Sequence, residues 1–207
     1  MSHENAPDRT LTVSLDGYTD LPPGKLANLV TYLEMRTPPL RQNIDRPDLR
    51  IAPLGPHLDA YRTLFRRVGE RWLWNGRLRL DVAALTRALG HEELVVLALC
   101  RGDDQIGLLE LDFATAGECE LVYFGVVPEA IGSGAGRFLM NEAISRAFAR
   151  PIERLFVHTC TFDHPGAVDF YKRSGFTPYK LAIEIHDDPR LTGALPREAA
   201  PHVPLLG

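Results

Sequence analysis

The chain has 207 residues, of which 45% are hydrophobic and 24% are charged, as in an ordinary soluble globular domain. A net charge of −4 gives no electrostatic reason to expect nucleic acid as a partner. Three cysteines without a pair motif argue against a disulfide scaffold and a zinc site. The polar amino terminus and the lack of a long apolar run argue against a signal peptide and a membrane span. We therefore expect a cytoplasmic protein.

The first 45 residues are predicted to form an extension of the main domain. Alternating apolar residues in Leu11–Tyr18 predict a short strand, after a disordered segment at residues 1–10. Lys25–Met35 has apolar residues at helical spacing but also a run that prefers strands, and we favour a strand. The polar stretch Arg41–Asp48 predicts a linker. Two roles stay open for the extension: it covers a pocket, or it pairs with a second subunit in a homodimer.

Residues 46–186 have the helix and strand patterns of one domain. Two helices precede three strands joined by short turns, which predict an antiparallel meander. A helix separates the next strand from the meander, so that strand can run parallel to its neighbour. The order predicts an α/β (α+β) fold with one mixed sheet. Residues 187–207 are rich in proline and predict a tail that is on the surface or disordered. The predicted helices are Leu58–Val68, Asp81–Gly90, Gly134–Ala149 and Pro165–Ser174, and the strands are Leu94–Cys100, Gln105–Phe113, Glu118–Val127, Arg154–Thr161 and Phe176–Ile185.

A glycine-rich segment lies between the third strand of the meander and the next helix. Gly132, Gly134 and Gly136 allow a tight turn that brings backbone N–H groups close to a ligand. These groups lack partners at a helix N-terminus, where the dipole favours an anion, so we expect a phosphate or pyrophosphate there. Arg137 could add a charged contact. A Walker loop needs Lys after its last glycine, and a dinucleotide fold needs another glycine spacing, so both fit poorly.

Two neighbouring motifs carry a family resemblance. Val126-Val127-Pro128-Glu129, followed by the three glycines and a helix, resembles the acetyl-CoA-binding motif of the GNAT N-acetyltransferase superfamily. The strand Glu118–Val127 before it and the segment His164–Phe176 after it resemble the flanking motifs of that family. The resemblance covers Ile51–Ile185 in element order. It implies a GNAT-type fold, in which an antiparallel meander is followed by a parallel βαβ-like carboxy-terminal half.

The resemblance also implies acetyl-CoA as co-substrate and no metal. The pantetheine arm would lie between two splayed strands, where a backbone N–H polarises the thioester carbonyl. The family usually has Arg or Gln where Ile131 stands, and commonly Asn where His164 stands, so one polar contact to the pyrophosphate is expected to be missing. The residues that the resemblance assigns to the cofactor are Val126, Val127, Ile131, Gly132, Ser133, Gly134, Ala135, Gly136, Arg137 and His164.

Tyr171 matches the position of the tyrosine with which the family protonates the departing thiolate. With reference pKa values of about 10 for tyrosine and about 8.5 for a thiol, this transfer costs roughly 2 kcal/mol. The assignment therefore expects a site that lowers the pKa of Tyr171. The alternative is a packing role beside Phe170.

An acceptor amine needs a base, because deprotonating an alkylammonium of pKa about 10.4 near neutral pH costs roughly 4 kcal/mol. Glu120 resembles the position at which histone-type members of the family keep their base. Strand alternation would put Glu120, Val122 and Phe124 on one face. Glu110 on the preceding strand, His158 and water are the alternatives.

His158 and Cys160 stand two residues apart on a predicted strand and would share a face. A Cys nucleophile with a His base is one interpretation, but a buried structural cysteine is favoured, because no other residue supports a separate oxyanion site. The histidines and acidic residues around them lack a zinc spacing. Trp72 or Trp74 could line an acceptor pocket, although packing roles are favoured.

The sequence therefore predicts an N-acetyltransferase in which a primary amine attacks acetyl-CoA directly in a ternary complex. The alternative is a catalytically silent CoA-binding or regulatory module on the same fold. A nucleotide-binding protein with other chemistry is disfavoured by the loop spacing. The acceptor, a small molecule or a protein amine, stays open, because the fold supports many substrates. Acidic residues near the cleft favour a cationic amine. We expect neither nucleic acid nor a membrane as partner.

Overall fold

We describe the chain from a computed structural model, which covers residues 10–40, 45–54 and 57–206. From Lys25 onward the predicted order of helices and strands is confirmed, and one further strand, β2, was not predicted. The strands are β1 (Lys25–Met35), β2 (Leu49–Pro53), β3 (Leu94–Arg101), β4 (Asp104–Asp112), β5 (Glu118–Val126), β6 (Arg154–Cys160) and β7 (Thr177–Asp187). The helices are α1 (Leu58–Gly69), α2 (Val82–Leu89), α3 (Ala135–Phe148) and α4 (Ala167–Arg173), with short 3₁₀ turns at Glu70–Trp72 and Pro128–Ala130.

All seven strands belong to one mixed sheet in the order β2-β3-β4-β5-β6-β1-β7. The antiparallel meander of β3, β4 and β5 is confirmed, and β5 runs parallel to β6 after the α3 crossover. The other strand pairs are antiparallel. The predicted α/β fold with a mixed sheet is therefore confirmed.

Strand β4 lies at the centre of the core. Its residues Ile106–Leu111 are all buried. Because successive side chains of a strand point to opposite faces, both faces of β4 must be covered. Helices α1 and α3 both contact β4, and they supply that cover. The domain is thus a sheet with helices on both faces.

Strand β1 lies between β6 and β7 and pairs with both of them. The prediction of a strand at Lys25–Met35 is confirmed. Its side chains Leu33 and Met35 are 0% and 2% exposed, so this strand contributes to the core. The sheet is therefore continuous across the boundary that we predicted at residue 45, and both edges of β1 are used within the chain.

The strand predicted at Leu11–Tyr18 is wrong, because the structure has no strand there. Leu15 and Tyr18 are fully exposed, so this segment has no apolar face to bury. Residues 1–9, where we predicted disorder, and residues 41–44 of the predicted linker lie outside the described residues. None of the helices in the described part of the chain is long and apolar enough to span a bilayer.

The carboxy-terminal tail is partly buried, which corrects the expectation of a surface or disordered segment. Its centre is Arg190, which is 4% exposed and pairs with the buried Asp188 at 2.7 Å. Arg190 also donates hydrogen bonds to the backbone carbonyls of Ala199, Ala200, Val203 and Pro204. Hydrogen bonds from Arg190 lower the pKa of Asp188, although burial alone would raise it. A second apolar cluster forms around this pair, and its buried members are Leu73, Leu195, Ala199, Ala200 and Val203.

Candidate active site

Strands β5 and β6 diverge after a short parallel pairing. They pair only through Glu118, Cys119 and Glu120, although both strands continue for several residues beyond that point. A cavity of about 1000 Å³ is lined by the separated parts of the two strands. The unpaired edge of β5 therefore faces the cavity, and an unpaired edge offers backbone N–H and C=O groups to a ligand.

An irregularity in β5 changes the face of the sheet on which the following side chains lie. The register of β5 with β4 shifts at Val122, which is an extra residue of β5 without a pairing partner on β4. The expectation that Glu120 and Phe124 share a face is wrong for this reason. Phe124 stacks on Phe170 of α4 with 5.6 Å between ring centroids, whereas Glu120 contacts His158 of β6.

Of the two valines assigned to the pantetheine arm, only one offers its N–H to the cavity. The N–H of Val127 donates to the carbonyl of Ile106 on the β4 side at 2.9 Å. Successive N–H groups of a strand point to opposite edges, so the N–H of Val126 points toward the gap. Val126 lines the cavity, and Val127 is buried behind it.

The glycine-rich turn presents free N–H groups to the same cavity. Gly132 and Gly134 have φ values of 80° and 85°, in the left-handed region that favours glycine. The N–H groups of Ile131 and Ser133 are used within the turn. Among the described residues, the N–H groups of Gly132, Gly134 and Gly136 have no acceptor. Since α3 begins directly after Gly134, these donors lie at the positive end of a helix dipole.

Basic side chains surround this turn. Arg137 lines the cavity as expected, and so does Arg173 at the end of α4. Arg46 donates to the carbonyl of Ser133 at 2.9 Å and is held by Asp48. Sequence reasoning did not select Arg173, although it lies in the motif after β6. It had no signal for Arg46, which comes from the predicted linker.

Most of the predicted cofactor residues line the cavity. Those that line it are Val126, Ile131, Gly132, Gly134, Gly136, Arg137 and His164. Ser133 and Ala135 do not line it: the Ser133 hydroxyl donates to the carbonyl of Ala130, and Ala135 is buried. Ile131 is 42% exposed, and the His164 ring packs edge-on against Trp72.

Tyr171 lines the cavity from α4 and is 7% exposed. Its ring packs against Phe124, Phe170 and Phe176. Burial raises the pKa of Tyr171, and the nearby carboxylate of Asp163 raises it further. The expectation of a lowered pKa is therefore wrong, and the phenol stays protonated through the neutral range.

Glu120 and His158 form a pair at the edge of the cavity. The Oε1 atom of Glu120 lies 3.4 Å from Nδ1 of His158, and the imidazole also packs near the Tyr32 ring. His158 lines the cavity, whereas Glu120 stands behind it. The contact with Glu120 raises the pKa of His158, against the opposing effect of burial.

Glu110, the alternative carboxylate, does not reach the cavity. It is completely buried, and it accepts hydrogen bonds from the hydroxyl of Tyr61 and from Nη2 of Arg77, the latter at 2.6 Å. A carboxylate held by two donors under α1 has a structural function. This position corrects the expectation that Glu110 faces the cleft.

Cys160 is the last residue of β6, and Asp163 lies in the loop that follows. Burial and the Asp163 carboxylate raise the pKa of Cys160 to about 11, which argues against a reactive thiolate. Asp163 accepts hydrogen bonds from the Trp74 indole, the Thr159 hydroxyl and the Cys160 N–H. Trp74 thus packs beside the cavity and holds this loop. In the described part of the chain, no group of three or more His, Cys, Asp or Glu residues is arranged to hold a metal.

The opposite end of the cavity was not predicted. It is lined by side chains of β1 and β7, among them Asn28, Glu184 and His186. Sequence reasoning had no signal for this group, because Asn28 and Glu184, which the β1–β7 pairing brings together, are 156 positions apart.

Comparisons with known proteins agree with this architecture. A model of the Acetyltransferase (GNAT) family matches residues 58–176, which is more than half of the chain. A search of the curated proteins found no match.

Solved structures with the same fold come from several sources. A GCN5-related N-acetyltransferase from Sphaerobacter thermophilus superposes with a TM-score of 0.60 at 16% identity, over 78% of this chain and 52% of that chain. A putative GNAT acetyltransferase from Novosphingobium aromaticivorans gives 0.55 at 15% identity, over 82% and 70%. An aminoglycoside acetyltransferase from an uncultured soil metagenomic sample gives 0.52 at 17% identity, over 61% and 87%.

The chain spans about half the length of the Sphaerobacter protein. At these identities the similar structures establish the fold alone, and the family match stands on the sequence of residues 58–176. That segment contains the divergent strands, the glycine-rich turn and Tyr171. The chain belongs to the GNAT acetyltransferase family.

Proposed function

We propose that the protein is an acetyl-CoA-dependent N-acetyltransferase that acts on a primary amine. One observation carries this proposal: the free N–H of Val126 in the gap of the sheet and the free N–H groups of the glycine-rich turn line one cavity. Family membership supports acyl transfer in general. The catalytic steps and the acceptor are part of the proposal.

The residues present fit acetyl-CoA. The three glycine N–H groups and the α3 dipole suit a pyrophosphate, and Arg137 and Arg173 add positive charge beside it. The gap beyond Glu120 leaves room for a narrow arm. Acetyl-CoA supplies the activated acetyl group as a thioester. In our proposal the N–H of Val126 donates a hydrogen bond to the thioester carbonyl and stabilises the negative charge that develops on its oxygen.

We assign the base to His158. Its imidazole lines the cavity, whereas Glu120, which we predicted as the base, lies behind it. In this arrangement His158 takes a proton from the acceptor amine, and Glu120 positions the ring and stabilises the imidazolium. Glu120 is then a positioning residue that acts through His158.

Tyr171 is proposed to return a proton to the departing thiolate. It lines the cavity on the side of α4 and remains protonated at neutral pH. Its raised pKa need not block this step, because the same burial also raises the pKa of the thiol that leaves. The acceptor ammonium gives its first proton to His158, which releases it to solvent, and the neutral amine attacks the thioester. The nitrogen loses a second proton when the C–N bond has formed and the C–S bond breaks. This second proton replaces, through solvent, the one that Tyr171 gives to the thiolate, so one proton is released overall.

A thermal melt with acetyl-CoA, CoA, NAD and ATP, each at about 1 mM, tests the cofactor. A ligand with a dissociation constant near 10 μM stabilises the fold by roughly 2.7 kcal/mol, and each kcal/mol moves the midpoint by about 2–4 °C at this size. We expect a shift with acetyl-CoA and CoA alone. Thiol release on addition of primary amines then tests the transfer.

Two outcomes would contradict the proposal in different ways. If CoA shifts the midpoint but no amine releases thiol, the protein is a CoA-binding module without this activity. If NAD or ATP gives the larger shift, the turn binds another cofactor and the acetyltransferase proposal fails.

A further inference from the structure

Asn28 is a buried side chain with an unsatisfied oxygen at the unpredicted end of the cavity. It is 5% exposed and lines the cavity from β1. Its Nδ2 donates to Oε2 of Glu184 at 3.0 Å and lies 3.5 Å from Nε2 of His186. Its Oδ1 is buried without a hydrogen-bond partner among the described residues. A buried acceptor in this state is costly unless a ligand supplies a donor.

Glu184 stands directly opposite Asn28 in the β1–β7 register. Its carboxylate shares the cavity with Asn28 and with the ring of Phe162, which packs edge-on against His186. All four residues except Phe162 lie outside the family match at residues 58–176. The family match therefore assigns no role to Asn28, Glu184 or His186.

The two ends of the cavity differ in charge. Arg137 and Arg173 line it with the glycine-rich turn. Glu184 lines the cavity from β7, Asp163 also lines it, and Glu120 stands behind His158; Arg79 is a further basic residue of the lining. The first end suits an anion and the second suits a cation.

On the basis of the acetyl transfer proposed above, we propose that Asn28 and Glu184 bind a second ammonium group of the acceptor, which is therefore a diamine or polyamine. An ammonium group has three N–H donors and no acceptor. One donor pairs with the Glu184 carboxylate, and a second satisfies Oδ1 of Asn28. A monoamine leaves both groups without this partner.

The distance between the two ends favours a long acceptor. Strand β1 lies two strands from β5, and β5 and β6 have already diverged at this level. With neighbouring strands spaced about 4.8 Å apart, Asn28 is at least roughly 10 Å from the edge of β5. A chain that joins an amine reacting at the edge of β5 to an ammonium group at Asn28 and Glu184 has to span the part of this backbone separation that the side chains do not cover, and the Phe162 ring offers it apolar surface.

Calorimetry on the protein saturated with CoA tests the subsite without turnover. The probes are 1,8-diaminooctane and octylamine, which have the same chain length and differ in the second amine. Wild type is expected to bind the diamine about 10-fold more tightly, because hydrogen bonds to charged groups are strong. Glu184→Gln should remove most of this preference, and Glu153→Gln, an exposed carboxylate that does not line the cavity, should keep it. Asn28→Leu, checked for folding by its melting midpoint, should also reduce it.

Rates of thiol release with different amines show which class of acceptor supplies the second ammonium group. Spermidine, an aminoglycoside such as kanamycin and a lysine peptide blocked at both ends represent a linear polyamine, an aminocyclitol and a protein. Faster thiol release with spermidine or kanamycin than with the peptide supports the subsite. The acceptor class is then the one, linear polyamine or aminocyclitol, that gives the faster release. Equal affinity of wild type for the diamine and the monoamine, or no effect of Glu184→Gln, overturns the subsite. A diamine preference in calorimetry without any thiol release keeps the subsite and overturns the acetyltransferase proposal.

Discussion

The two ends of the cavity come from different parts of the sequence. The end with the glycine-rich turn comes mainly from one continuous segment, Glu118–Phe176, which lies inside the family match, and Arg46 is added from outside it. The other end is lined by residues of β1 and β7, and the carboxy-terminal tail packs beside it against Phe162. The first carries free backbone N–H groups and arginines, and the second carries carboxylates and an unsatisfied amide.

This difference indicates how binding of a common cofactor and choice of an acceptor can be separated within one fold. Backbone donors at a helix N-terminus recognise a pyrophosphate whatever the side chains are. An acceptor is selected by side chains, and those can come from any strand that reaches the cavity. Four substitutions test whether the two ends work independently.

The largest effect is expected from Arg190→Met in the tail. The change leaves the buried Asp188 without its charged partner. Removing one partner of a buried pair costs about 3 kcal/mol or more, so the melting midpoint should fall by about 6–12 °C. The midpoint shift caused by CoA should stay nearly unchanged, because the glycine-rich turn does not contact this pair.

A double variant, Asp188→Asn with Arg190→Met, is the matched control. It leaves no buried charge and should recover part of the lost stability. If Arg190→Met also abolishes the midpoint shift caused by CoA, the tail is coupled to the cofactor end, and the two ends do not work independently.

Tyr171→Phe is expected to reduce turnover about 100-fold, the lower range for loss of a general acid. Acetyl-CoA affinity should remain close to that of wild type, because the ring packing is retained. Steady-state kinetics and calorimetry with CoA measure the two effects. Tyr179→Phe on the exposed strand β7 is the control. Unchanged turnover in Tyr171→Phe would rule out the acid assignment.

Ile131→Arg is expected to tighten CoA binding by about 10-fold. Ile131 lines the cavity beside the glycine N–H groups and is 42% exposed, so an arginine can be solvated there and reach a phosphate. Calorimetry with CoA and with pantetheine, which lacks the pyrophosphate, measures the change. If pantetheine gains as much as CoA, the added charge does not act on the pyrophosphate.

Glu120→Gln is expected to give the smallest change, a shift in the pH dependence of kcat/KM. The base must be neutral, so activity falls as the pH drops through the pKa of His158. The Glu120 carboxylate raises that pKa above its ordinary value of 6.5. Its removal lowers the pKa, so the acid limb of the profile should move to lower pH.

Glu118→Gln is the control, because Glu118 pairs with Arg154 on the same strands and does not contact His158. Its profile should match that of wild type. Loss of activity at every pH in Glu120→Gln would instead identify Glu120 as the base itself.

The cofactor end was largely predictable from the sequence. Glycines at alternate positions before a helix determine a local backbone conformation, and that conformation alone exposes the N–H donors. The positions of Arg137 and Tyr171 follow, because short elements on either side fix their place relative to the turn. The proposed roles of these residues stay predictions until the variants are measured.

Three features of the candidate site residues could not be predicted, for separate physical reasons. The irregularity at Val122 depends on the pairing of β5 with β4 and turns Phe124 away from the face of Glu120. The pKa of Tyr171 depends on how completely the fold buries it. The position of Glu110 beneath α1 depends on Arg77 and Tyr61, which reach it only in the folded chain.

The sequence by itself determined the order of helices and strands from α1 to β7, the meander and the phosphate-type turn, because each follows from local periodicity and glycine conformation. Only the tertiary structure decided that β1 lies between β6 and β7 and brings Asn28 next to Glu184. It also decided that Arg190 is buried in the tail. These contacts join residues that are distant along the chain or lie in segments without periodicity. They form only when the strands assemble into the sheet and the tail packs against it.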